Sequence, residues 1–509
     1  MTRPGATLPL LRGSTTLESA LDEEEDMLRD LAYPEQRVDF FVALYRQREE
    51  IAKIASHHLG FGRSETGRLG GVNEWIHGSF NVCIPIYVGR RQKDQAPEKR
   101  AFIRFPLPSK LGESTHPGNV DEKLRCEAAT FIWMQEHCPE IPIPQLFTKP
   151  DRVSLTTRVL WSFQRCISWL LGYPLPCRYV SHYRSSMLDN GYLVMDDTWD
   201  QARQQRVKRT NLFRDLSRIM LSLSRTPLPR IGPWTLDSDG HLRLTNRPLT
   251  LRLHQLENGG ISTNIGRSLN YSTADAYYQD LLSCHDSRIR SQPNSLLDAE
   301  DGRAQMARLT IMRALMPHFA TRELREGPFL YRLTDLHPSN LFVDGDWPIK
   351  CAIDLEWACS LPAETLRPPY WLTGRSVDDL PDEHLDVFRQ LHDEFVDVFE
   401  GEEGSFPPIN NAGSFRTNLM RKTWQTGGFW YFQALDSPKG LYNLFQQRIH
   451  PIFRSNTEVG SDSSRIVSDY WAADVEEVIA AKLRDKEEYE EKLRQRFANA
   501  SDQPGPSTS

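Results

Sequence analysis

Residues Leu333-Thr-Asp-Leu-His-Pro-Ser-Asn340 place a carboxylate, Asp335, five positions before an amide, Asn340; a second carboxylate follows in Ile353-Asp-Leu-Glu356 at Asp354. These types at this spacing suit phosphoryl transfer. One carboxylate accepts the proton of an attacking hydroxyl, while an amide oxygen and a further carboxylate hold the Mg²⁺ that bridges the phosphates of ATP. The physical demand is neutralisation of charge, and hard oxygen ligands are what Mg²⁺ prefers. Two apolar runs, Leu341-Phe-Val343 and Cys351-Ala-Ile353, flank Asp344-Gly-Asp346 and predict a hairpin. That hairpin would return Asp354 to the side of Asn340. Asp335 is therefore the candidate base, with Asn340 and Asp354 as candidate metal ligands.

A phosphate-handling element is expected upstream. Trp75 to Val88 reads as strand, Gly-Ser turn and strand, so Gly78, Ser79, Phe80 and Asn81 could lay backbone N–H groups over an anion. The same pair of residues in most hairpins is only a turn. Arg100-Ala-Phe-Ile-Arg-Phe-Pro106 predicts an apolar strand from which Arg104 projects, and Val120 to Met134 has apolar residues at helical spacing with Glu127 among them. That helix must end before Ile141-Pro-Ile-Pro144, because residues preceding proline are extended. Gly191-Tyr-Leu-Val-Met-Asp-Asp197 reads as a buried strand ending in acids.

Taken in this order, the pieces resemble the aminoglycoside phosphotransferase and choline kinase-like family, in particular its fungal branch. In that family the catalytic loop reads like His-x-Asp-x-His-Pro-x-Asn and the metal segment like Ile-Asp-x-Glu; Asp335, His337, Pro338, Asn340, Asp354 and Glu356 fall in place. The resemblance implies an α+β, bilobal protein kinase-like fold with a small mixed β-sheet lobe and a larger, mainly helical lobe. It implies ATP bound by Gly78 to Asn81, by Arg104 paired with Glu127, and by a hinge at Met195, Asp196 and Asp197. The implied reaction moves the γ-phosphate of ATP to a hydroxyl of a small-molecule acceptor. Two departures stand out. Leu333 occupies the place of the family's first loop histidine, and Arg104 that of a lysine, exchanging a compact ammonium for a planar fork. They leave open an alternative, a pseudokinase that binds ligand or protein without phosphoryl transfer. A protein kinase is disfavoured, since no Asp-Phe-Gly occurs and no Ala-Pro-Glu follows the loop at 333–340.

The remaining elements must position this site. The 509 residues suffice for two lobes, expected as a mobile acidic arm (1–35), a small ATP-binding lobe (36–197) with an insertion at about 148–190, a large lobe (198–455) and a charged helical and disordered tail (456–509). One helix is expected over Val38 to His58, others at Asn211 to Leu223, Tyr277 to Leu282, Arg308 to Phe319 and Asp382 to Glu400, and a solvated one at Asp485 to Gln495. Asn246-Arg-Pro-Leu-Thr250 reads as a loop packing the lobes, and His254 as structural. By the same resemblance, Pro369, Tyr370 and Trp371 lie on the acceptor side, where they could contact the substrate; aromatics in such loops are more often packing residues. Acids around the catalytic loop would suit a cationic acceptor, although metal-binding acids are there whatever the acceptor. A net charge of −7 with no basic block argues against nucleic acid, and eight scattered cysteines suggest neither zinc nor disulfides. The N-terminus lacks the apolar core of a signal peptide, and Val159 to Pro176 is interrupted by Gln164 and Arg165, so a cytoplasmic protein without a membrane span is expected.

Overall fold

The computed structural model describes residues 7–59, 67–88, 99–144, 205–409, 413–453 and 461–501. The expected insertion and the hinge Met195, Asp196 and Asp197 lie outside them. The described chain is a mixed α+β structure. Strands β3 (Arg68–Leu69), β4 (Ile76–His77), β5 (Asn81–Val88) and β6 (Lys99–Pro106) form one sheet, with β5 between β6 on one side and the two short strands on the other. Every strand pairing among the described residues is antiparallel, where a mixed sheet is expected from the sequence. For strands adjacent in sequence the reason is connectivity: three residues separate β4 from β5 and ten separate β5 from β6, fewer than a parallel crossover needs.

Pro85 sits inside β5, an unusual place for a residue that cannot donate to the ladder. It faces the gap between β3 and β4, where its carbonyl accepts Gly70 N–H at 2.8 Å and no ladder donor is called for. Side chains alternate along the sheet. Val82, Ile84 and Phe105 join Trp75, Leu44 and Ile51 in one apolar cluster, while Arg104 projects from the opposite face toward α5 (Asn119–His137). The helix expected over Val38 to His58 is two, α3 (Tyr33–Arg46) and α4 (Arg48–His58). The break falls at Gln47, whose N–H turns back to the Leu44 carbonyl at 3.0 Å.

The larger core is built from the helices Arg206–Leu223, Leu251–Asn258, Ala274–Ser291, Ala299–Phe319, Asp382–Glu403, Phe415–Thr426 and Gly428–Asp436. On Asp382–Glu403 the buried Phe388, Phe395 and Phe399 recur at helical spacing, and Phe395 meets Phe213 edge to face with ring centroids 5.3 Å apart. β7 (Thr235–Leu236) pairs with β8 (Leu242–Arg243), and two further two-stranded sheets cross this core: β9 (Phe329–Leu333) with β12 (Ala358–Pro362), and β10 (Leu341–Val343) with β11 (Ile349–Ala352). The second is the hairpin predicted around Asp344-Gly-Asp346.

Both ends depart from the expectation of a mobile arm and a solvated tail. Residues Thr7–Pro9 (β1) and Ser14–Thr16 (β2) pair as a hairpin, followed by α1 (Leu17–Asp22) and α2 (Met27–Asp30). Asp26, from the acidic run, caps α2 by accepting the Arg29 N–H. Ala20, Met27 and Leu31 are buried against Tyr489, Leu493 and Phe497 of the C-terminal helix Val475–Ser501, and the Met27 N–H donates to the Tyr489 hydroxyl at 2.8 Å. Tyr489, Leu493 and Phe497 recur every fourth residue and so share one helix face. Among the described residues, no helix is long and apolar enough to cross a membrane.

Candidate active site

A cavity of about 810 Å³ lies between the four-stranded sheet and the helical core, lined by Gly78 to Asn81, Arg104, Asp335, Asn340 and Asp354 among others. Of the candidate site residues, Gly78 to Asn81, Arg104, Asp335, Asn340 and Asp354 border it, whereas Glu127 sits behind Arg104 and Glu356 lies deeper still. The loop from β9 to β10 carries Asp335 and Asn340. Its shape is fixed at both ends: Thr334 N–H and hydroxyl both reach the Trp357 carbonyl, at 2.9 and 2.7 Å, and Trp371 Nε1 donates to the Leu336 carbonyl at 2.6 Å. Asn340 Nδ2 donates to the Asp335 carbonyl at 2.9 Å and to its Oδ2 at 3.1 Å. The amide therefore clamps the carboxylate it follows by five residues. Leu333 turns into the apolar core, so this loop takes its rigidity from Thr334 and Trp371.

The β10–β11 hairpin brings Ile353 to Glu356 alongside, with Ile353 N–H on the Asn340 carbonyl at 2.9 Å. Asp354 has φ of +56°, in the left-handed region that aspartate tolerates better than most residues. There its carboxylate meets Arg104. The guanidinium spans Glu127 on α5, Asp354, and both oxygens of Glu356 at 3.1 and 3.2 Å. Among the described residues its buried Nε–H has no acceptor.

Sequence reasoning missed a second cation. Lys123 lies four residues before Glu127, on the same helix face, and is fully buried. Its Nζ contacts Glu356 at 2.9 Å and donates to Asn81 Oδ1 at 3.0 Å, while Asn81 Nδ2 donates to Glu356 at 3.2 Å. The helical spacing of Lys123 and Glu127 was the available signal. Of the four turn residues, Gly78 and Ser79 line the cavity and Asn81 is turned into this cluster. Phe80 packs edge-on against Trp357 at 4.9 Å. Trp357 in turn donates from Nε1 to His254 Nδ1 at 3.0 Å. His254 is thus structural, and burial drives its pKa down to about 3.

Charge in the cluster is not balanced. Glu127, Asp354 and Glu356 face two cations, and Asp335 adds a further acid at the cavity floor. Burial pushes Asp335 up to about 7, reinforced by Glu356 and Asp354 and opposed by the Asn340 bond. Burial likewise raises Glu127 to about 7 against the pull of Arg104. For Glu356 the burial penalty is overcome by Arg104 and Lys123, which hold it down at about 2. An excess of hard oxygen donors at one wall of a cavity is what a divalent cation neutralises.

Tyr370, singled out with Pro369 and Trp371, lines the cavity and stacks on His337 at 6.2 Å, whereas Trp371 is buried and serves as the loop's anchor. Three further bordering arginines, Arg12 from the N-terminal hairpin, Arg252 at the start of helix Leu251–Asn258 and Arg375, carry no local sequence signal. Compared with models of protein families, with curated proteins and with solved structures, the chain has no match.

Proposed function

We propose that the protein is a phosphotransferase of kinase-like, bilobal build, moving the γ-phosphate of ATP to a hydroxyl of a small molecule. One observation carries the reading: a single cavity is bordered by a near-neutral carboxylate clamped by an amide, a second carboxylate beside them, and a guanidinium backed by a helix glutamate. Asn340 and Asp354 would hold Mg²⁺, and their oxygen donors fit that ion. The Arg104 side chain, with its unaccepted buried Nε–H, fits a phosphate oxygen nearby. Mg-ATP, when bound, supplies the phosphoryl group and neutralises its charge. The chain's own part is positional. Asp335 takes the hydroxyl proton, Asn340 fixes its carboxylate, and the aromatic wall of Tyr370 and Trp357 keeps water out. A base with a pKa near 7 is about half ionised at neutral pH, where general bases work best.

A second reading is favoured by one contact. Arg104 already engages an oxygen of Asp354, so the pair neutralises itself without metal, as a ligand-binding pseudokinase would require. Thermal unfolding separates the two. At about 100 times its Kd, Mg-ATP should stabilise the native state by roughly 2.7 kcal/mol, and Asp354→Ala should lose that shift. Asp335→Ala should keep the shift yet lower turnover about 10²- to 10⁴-fold. Full activity in Asp335→Ala would sink the assignment of the base, and a cooperative melt indifferent to Mg-ATP would leave the pseudokinase.

A further inference from the structure

We propose that a second, smaller cavity opening off the site is an anion subsite, so that the acceptor carries a carboxylate or phosphate group besides its hydroxyl. This rests on the phosphotransfer reading for the word acceptor, but not for the anion. The cavity, about 130 Å³, shares Leu251, Arg252, Asp335, Tyr370 and Gln433 with the larger one, so Asp335 stands at the junction of the two. Three arginines line it, Arg252, Arg332 and Arg367, against two acids, Asp335 and Asp436.

Their bonding shows that the positive charge is underused. Arg332, on β9 just before the catalytic loop, donates only to the carbonyl and hydroxyl of Thr365, each at 2.5 Å, and pairs with no carboxylate among the described residues. Arg252 donates to the neutral Gln255 at 3.1 Å. Arg367 spends Nη2 on Asp436 at 2.5 Å, while its buried Nη1 has no acceptor among the described residues. Two guanidiniums near one another with a single carboxylate between them are costly unless an anion completes the set. Burial, with Arg367 next in effect, lowers Arg332 to about 10, the direction such crowding demands. The geometry suits recognition of a planar or tetrahedral oxyanion by guanidinium forks. The space admits a head group rather than a sugar ring, leaving a linked hydroxyl to reach Asp335 in the main cavity. A cationic acceptor, which the acids of the catalytic loop alone would suggest, meets three arginines here.

Isothermal titration of the full chain with D-glycerate, glycerol 3-phosphate, glycerol and ethanolamine tests this. One or both anions should bind while glycerol and ethanolamine do not, and the tighter of the two tells carboxylate from phosphate. Arg332→Gln and Arg367→Gln should each weaken binding about tenfold or more, with Arg332→Lys intermediate. If Arg332→Gln fails to fold, Arg252→Gln on the more open shared wall supplies the same comparison. Absence of anion binding, equal binding of glycerol or ethanolamine, or unchanged affinity in the folded variants would overturn the subsite. The Mg-ATP thermal shift on the same samples is scored separately. Anion binding without that shift removes the phosphotransfer reading alone, and the shift without anion binding removes the subsite alone.

Discussion

Helix α5 carries two buried ionic networks a few residues apart, and they differ in how completely their charges are matched. Toward its start, Glu122 and Asn119 meet Arg247, Arg267 and Glu257. Arg247 alone donates to both oxygens of Glu122, at 2.9 and 2.8 Å, and to both of Glu257, at 2.6 and 2.9 Å. Asn119 and Thr263 satisfy what remains of Glu257, and Asn246 adds a bond to Glu122. Here two acids face two bases. One turn on, Lys123 and Glu127 belong to the cluster at the cavity, where the acids outnumber the bases and a guanidinium N–H goes unaccepted. The carboxylates record the difference. Burial would raise Glu257, yet Arg247 brings it below the usual range, whereas burial wins at Glu127. A saturated network holds elements together, and an unsaturated one at a cavity wall is poised to receive a ligand.

Three experiments can break or sharpen that contrast. The largest effect is expected from Arg247→Met, which leaves two buried carboxylates short of their main partner and should cost about 3–5 kcal/mol in denaturant unfolding. Loss of under 1 kcal/mol would show the network to be incidental. Next comes pH. Glu127 has its folded pKa raised from 4.5 to about 7, so the native state holds a proton the unfolded chain releases, and stability should decline as pH rises across that window. Glu257, lowered in the native state, should act oppositely, losing its contribution as pH falls from its unfolded value. Glu127→Gln should therefore flatten the neutral side of the stability profile and Glu257→Gln the acid side; matching profiles would erase the distinction between the networks. Smallest is Arg267→Gln at the half-exposed rim, expected to cost about 0–1 kcal/mol by thermal unfolding.

Legibility in the sequence followed how local each feature is. Asp335, Asn340 and Asp354 stand within twenty residues on a loop and a hairpin whose turn chemistry is explicit, so their meeting could be read directly. Arg104 and Glu127 could be paired once a strand and a helix were assigned by period. The structure pairs them, while the catalytic roles given to these residues await the assays above. Asn246 to Thr250 was read as packing, and Arg247 gives that loop its physical content. Lys123 escaped notice because a lysine near a helix start normally looks solvated, and only the depth of Glu356 across the fold reverses that. Arg332 and Arg367 were invisible for the same reason: an arginine's partner, or lack of one, is a property of tertiary packing. The expectation of a mixed small sheet comes from the resemblance and not from the connection lengths.

The tie between Met27 and Tyr489 sets an order of events during synthesis. The two residues are 462 positions apart, so at typical elongation rates roughly 25 to 90 s separate their appearance. Through that interval Ala20, Met27 and Leu31 lack the helix face that completes their burial, while Asn258, Gln292 and Asn294 already hold the segment from Glu23 to Tyr33. A nascent chain cut short before helix Val475–Ser501 would therefore carry the loop Leu333–Asn340 beside an N-terminal segment missing one of its supports.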